Sequence, residues 1–132
     1  MNAQALKRIL YVEDEADIRE VAKLALEAVG GFEVEVCDGG EKALAAAPGF
    51  APDLILLDVM MPGMDGQRTL TALRALPQTA QTPIIFMTAK VQKSEINHYK
   101  TMGAIGVIPK PFDPMTLAQT VREIWAHHGD KT

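Results

Sequence analysis

Five polar side chains stand at or just beyond the ends of apolar runs. Glu13 and Asp14 are adjacent carboxylates after Ile9-Leu10-Tyr11-Val12, and Asp58 ends Asp53-Leu54-Ile55-Leu56-Leu57. Thr88 follows Pro83-Ile84-Ile85-Phe86-Met87, and Lys110 lies between Pro109 and Pro111. A carboxylate at the edge of a core needs a partner, because desolvating an unpaired charge is costly. If Glu13, Asp14 and Asp58 converge, their like charges oppose ionisation unless a cation joins them. A hard divalent ion with oxygen ligands suits such a set, and Mg²⁺ accepts one or two carboxylates while keeping several waters. An open metal position beside a carboxylate and a lysine suits a phosphoryl group. Lys110 would serve as a point charge, Thr88 as a hydroxyl donor, and Asp58 as a nucleophile forming an acyl phosphate.

Singly, each residue has a plainer reading. Asp58 could cap a turn, Glu13-Asp14 could favour a helix N-terminus, Thr88 could be structural, and Lys110 could belong to a surface turn. Their common position at strand ends, in order along the chain, is what singles them out.

The elements that must position them follow from hydrophobic period and turn residues. Strands are expected at Ile9–Val12, Glu33–Cys37 (an edge), up to Asp58, Pro83–Met87 and Ala104–Ile108. Between them lies first an amphipathic helix with Ile18, Val21, Ala22, Ala25 and Val29 on one face, stopped by Gly30-Gly31. A short Ala-rich helix follows, ending at Ala47 before Pro48-Gly49. Further helices are expected from about Asp65 to Leu76 and from about Gln92 to Met102. The last should start with Asp113 as N-cap and Pro114 at its first position, bury Leu117, Val121, Ile124 and Trp125, and end at Gly129. Five βα units with near-continuous apolar strands predict an α/β protein, a parallel sheet covered by helices on both faces. Ligands of such sheets bind beyond the carboxyl ends of the strands, where these five residues fall.

The chain of 132 residues, 48% apolar and 23% charged, suits one domain with a core of its own. Its net charge of −4 argues against nucleic acid as main ligand. A single cysteine, Cys37, leaves no internal disulfide, and its place at a strand end predicts a quiet core thiol. No apolar stretch is long enough to insert in a membrane, and Met1–Arg8 lacks the apolar core of a signal peptide. These features fit a cytoplasmic protein. Met60, Met61 and Met64 are expected to pack the loop after Asp58, and His127-His128 to serve the last turn of the last helix.

Val12-Glu13-Asp14-Glu15, Leu56–Gly66, Pro83–Ala89, Gly103-Ala104 and Lys110-Pro111-Phe112 together closely resemble the receiver domain of two-component response regulators. The resemblance covers residues 7 to 128, so residues 1–132 are expected to form one stand-alone, chemotaxis-receiver-like domain with no output domain. It implies a flavodoxin-like fold with strand order 2-1-3-4-5, an order already known from chemotaxis receivers and flavodoxins. It implies Asp58 as phosphoacceptor, and Mg²⁺ (or Mn²⁺) held by Asp14, Asp58 and the Met60 backbone carbonyl, with Glu13 acting through water. Thr88 and Lys110 would bind the phosphoryl group, and the Lys110-Pro111 bond would be cis. The implied partners are a histidine kinase or phosphotransfer protein and a downstream protein target, with the chain a monomer or weak phosphorylation-dependent dimer.

Three features depart from the family pattern: Glu13 where Asp is also common, Met60 and Lys90 at positions that tune phosphoryl lifetime, and Val107 where a switch aromatic usually stands. An apolar Met60 cannot hold a water by hydrogen bonding, so self-dephosphorylation should be slow. Met60 also occupies the place of the general acid of haloacid-dehalogenase-type phosphohydrolases, which speaks against turnover and an enzyme. The intact Asp14, Asp58, Thr88 and Lys110 speak against a non-phosphorylated scaffold.

Overall fold

The computed structural model describes residues 5–130. The first four residues of the amino-terminal stretch and the last two of the chain lie outside them. Five parallel strands, β1 (Arg8–Val12), β2 (Glu33–Cys37), β3 (Leu54–Asp58), β4 (Ile84–Thr88) and β5 (Gly106–Pro109), form one sheet in the order β2-β1-β3-β4-β5. Five helices connect and cover them: α1 (Ala16–Leu24), α2 (Gly40–Phe50), α3 (Gly66–Arg74), α4 (Lys93–Thr101) and α5 (Leu117–Asp130). The expected doubly wound α/β fold is therefore the observed one.

The strands alternate with period two, so each supplies both faces. Ile9, Tyr11, Leu54, Leu56, Ile85 and Met87 pack under α1 and α5 with Ala22, Leu26, Leu117 and Val121. Leu10, Val12, Ile55, Leu57, Ile84 and Phe86 pack under α2, α3 and α4 with Ala43, Ala47, Leu70, Leu73 and Tyr99. β2 is an edge strand, and Glu33 and Glu35 occupy its exposed positions, charges of the kind that discourage pairing with another chain.

Register delivers the polar residues to one end. Val12 pairs with Leu57, so Glu13 and Asp58 follow at the same level of adjacent strands. Asp58 pairs with Met87 and Thr88 with Pro109, which sets Thr88 and Lys110 just beyond.

Several element boundaries differ from the sequence expectation. The first helix passes at Ala25–Val29 into a π turn, closed by the Gly30 amide on the Ala25 carbonyl at 3.2 Å. The wider turn rotates the following residues. Ala22, Ala25 and Leu26 are buried, while Val21 and Val29, expected inside, are 45% and 53% exposed. The second helix does not stop at Ala47. It continues through Pro48 and Gly49 to Phe50, and Ala51 ends it in the left-handed region at φ 53°. The last turn is held from outside: Arg8 stacks on the Phe50 ring at 4.4 Å and donates to the Phe50 carbonyl at 2.8 Å. At the last helix, the Asp113 carboxylate accepts from the Met115 amide at 2.9 Å, as a cap should. It caps a separate turn, however, and α5 begins at Leu117, then runs past Gly129 to Asp130.

Candidate functional site

The β3–α3 junction is built on a close approach. Asp65 caps α3 by accepting from the Arg68 amide at 2.9 Å, and Gly66 donates to the Val59 carbonyl at 3.0 Å. A Cβ on Gly66 would lie 2.3 Å from the Asp58 carbonyl oxygen and 2.8 Å from Val59 Cα. Only a glycine lets the helix start this near the strand end that carries Asp58.

Glu13, Asp58 and Thr88 are 0%, 1% and 1% exposed, and Asp14 is half-buried. One carboxylate oxygen from each of Glu13, Asp14 and Asp58 lies within 4.8 Å of the other two. Lys110 reaches the same place, with its Nζ 3.0 Å from Glu13 Oε1 and 3.4 Å from Asp58 Oδ1. The Met60 amide donates to Asp58 Oδ1 at 3.3 Å. Asp58 Oδ2 is buried and has no hydrogen-bond partner among the described residues. The Thr88 hydroxyl oxygen accepts from the Lys90 amide at 3.0 Å, leaving its proton to donate elsewhere. The bond between Lys110 and Pro111 is cis.

Burial first, and then the charge of Glu13, push the Asp58 carboxyl up to about 7, with Lys110 pulling the other way. Burial alone would lower the Lys110 ammonium. Its hydrogen bond to Glu13 and the charge of Asp58 outweigh that and raise it. Three carboxylates facing one lysine, with one buried oxygen unclaimed, form a donor set suited to a hard divalent cation.

Two further side chains, not singled out by the motifs, belong to the pocket. Tyr11 is 0% exposed, and its hydroxyl donates to Glu13 Oε1 at 3.2 Å. Burial and then the Glu13 charge hold that hydroxyl protonated well above the ordinary tyrosine range. Its spacing of two residues from Glu13 is the signal that could have found it, since such residues share a strand face. Arg19 reads as a surface charge of α1 but turns back and donates to the Glu13 carbonyl at 2.8 Å. The methionines divide. Met61 is 7% exposed and Met64 half-buried, as loop packing predicts, whereas Met60 is 61% exposed because its amide, not its side chain, faces Asp58. Val107 is half-buried against the cluster that holds Phe86 and Tyr99. Cys37 is buried, as expected.

An acidic pocket at the carboxyl end of a 2-1-3-4-5 parallel sheet, with a lysine from beyond β5 reaching into it, places the chain among doubly wound α/β domains that carry a polar site at their strand ends. A model of the response regulator receiver domain matches residues 9–122, and the chain belongs to that family. The DNA-binding response regulator MtrA of Mycobacterium tuberculosis (strain ATCC 25618 / H37Rv) is 38% identical over 125 residues, covering 95% of this chain and 53% of MtrA. The transcriptional regulatory protein CpxR of Escherichia coli (strain K12) is 40% identical over 119 residues, covering 90% of this chain and 49% of CpxR. The chain thus spans about half the length of these curated relatives. The solved structure of the chemotaxis response regulator CheY4 of Vibrio cholerae superposes with a TM-score of 0.82 at 34% identity, covering 91% of this chain and 99% of that one. Among the described residues, no helix is long and apolar enough to cross a membrane.

Proposed function

We propose that this chain is a phosphorylation-switched receiver that takes a phosphoryl group on Asp58 from a histidine kinase or phosphotransfer protein and passes the signal on by protein contact. The reading rests on one observation above all. Asp58 is buried at the meeting point of Glu13, Asp14 and Lys110, with Oδ2 unclaimed by any donor among the described residues. An Asp58 oxygen attacks phosphorus as the P–N bond to the donor imidazole breaks, and the imidazole keeps the bonding pair. Lys110 and the Thr88 hydroxyl hold the phosphoryl oxygens, and the Met60 amide steadies the carboxylate. Asp14, Asp58 and the Met60 carbonyl would hold Mg²⁺, with Glu13 acting through water. The ion would supply the positive charge that lets carboxylate and phosphoryl group approach. Residues 1–132 act in this reading as one receiver domain that switches contacts without turning over a substrate.

Incubation with acetyl phosphate and Mg²⁺ tests it. Intact mass should rise by one phosphoryl group, and Asp58→Asn should abolish the gain. No uptake at any Mg²⁺ concentration would point instead to a receiver-like scaffold.

A further inference from the structure

Glu13 carries more partners than a carboxylate waiting for a metal-bound water requires. Its Oε1 accepts from both Lys110 Nζ at 3.0 Å and the Tyr11 hydroxyl at 3.2 Å. Its Oε2 accepts from the Glu15 amide at 3.3 Å, and its carbonyl from Arg19 at 2.8 Å. The doubled donor at Oε1 matters when Lys110 has other work to do. The ammonium sits nearer Glu13, at 3.0 Å, than Asp58, at 3.4 Å, so a phosphoryl group on Asp58 would draw it away from Glu13 and lengthen that bond. A fully buried carboxylate oxygen left with no donor is penalised, and the penalty would keep Lys110 where it is.

We propose that Tyr11 is a positioning residue for phosphoryl acceptance, its buried hydroxyl keeping Glu13 Oε1 partnered while Lys110 turns to the phosphoryl group. The role is tied to glutamate at position 13. An aspartate there would draw the carboxylate back by one methylene, roughly 1.5 Å, from both Tyr11 and Lys110. The inference rests on the reading of Asp58 as phosphoacceptor.

Tyr11→Phe keeps the ring that fills the core and removes only the hydroxyl. At saturating acetyl phosphate its rate constant for phosphorylation should fall about tenfold, the scale of one hydrogen bond to a charged group. The half-saturating Mg²⁺ concentration should move less than about twofold. In a Glu13→Asp background the same substitution should change the rate less than about twofold, because the shorter side chain no longer bridges the two donors. Phosphorylation should also perturb the near-ultraviolet tyrosine absorption in wild type and in Tyr99→Phe, but not in Tyr11→Phe. Urea midpoints establish that each variant is folded. An unchanged rate in Tyr11→Phe, or an equal tenfold loss in the Glu13→Asp background, overturns the inference while leaving Asp58 untouched. If wild type itself takes up no phosphoryl group, the reading of Asp58 falls and the inference with it.

Discussion

Replacing Asp58 by asparagine should make the metal-free protein more stable, although it removes the residue on which the proposed function depends. The Asp58 carboxyl is pushed up from 3.8 to about 7 by burial and by Glu13. That shift of about 3 pH units, at about 1.36 kcal/mol per unit, sets an upper limit of about 4 kcal/mol on the cost of ionising it in the folded state. Half-buried Asp14 and Lys110 border the carboxylate and bring solvent close enough to screen part of this, so about 2 kcal/mol is expected at pH 8. The folded chain binds the proton more tightly than the unfolded chain does. The cost is therefore absent below about pH 4, grows as pH rises, and is complete above about pH 7. Urea or thermal unfolding in EDTA provides the assay. At pH 8 the midpoint of Asp58→Asn should lie above wild type by about 8 °C, taking roughly 4 °C per kcal/mol for a chain of this size. At pH 5 the gap should shrink to less than half. If the site holds Mg²⁺ as proposed, the added ion should stabilise wild type, whose three carboxylates meet only in the folded chain, and leave the variant nearly unchanged. Equal midpoints at pH 8, or a gap that does not narrow at pH 5, would refute the account of Asp58 as a strained buried anion.

Three further outcomes are expected. Gly66→Ala drives a methyl group into the Asp58 carbonyl at 2.3 Å, and the urea midpoint should report a loss of about 3 kcal/mol or more. Met60 is 61% exposed and apolar, so the phosphorylated chain should lose its phosphoryl group slowly. Met60→Asn, able to orient a water, should shorten the lifetime severalfold as followed by intact mass, and a wild-type lifetime as short as that of fast chemotaxis receivers would contradict the reasoning. Burial, with Glu35 and Asp38 adding to it, pushes the Cys37 thiol up to about 11. At pH 8 it should resist Ellman's reagent until urea unfolds the chain, and rapid labelling of the folded protein would show the strand end to be open.

Most of the fold is legible in the sequence because its signals are local. Alternation along Glu33–Cys37, and the continuous apolar runs at Ile9–Val12 and before Asp58 and Thr88, mark strands whose observed limits differ by a residue or so. β5 is the exception, shifted from Ala104–Ile108 to Gly106–Pro109. Helix ends are less legible where a distant partner overrides the local rule. Pro48 and Gly49 read as a stop, yet Arg8 holds the extra turn through Phe50. The π turn at Ala25–Val29 leaves no mark in the hydrophobic period, which assigns Val29 to a buried face that the structure exposes.

The sequence by itself determined which side chains can do chemistry, that each ends or follows a strand, and that five βα units must carry them, because period and turn chemistry act over a few residues. Only the tertiary structure decided how those side chains meet. Lys110 pairs with Glu13 across 97 positions of sequence, Tyr11 turns its hydroxyl to the same oxygen, and one oxygen of Asp58 is left without a partner among the described residues. These contacts depend on strand order and register, which bring ångström-scale neighbours from distant parts of the chain and which no local pattern encodes.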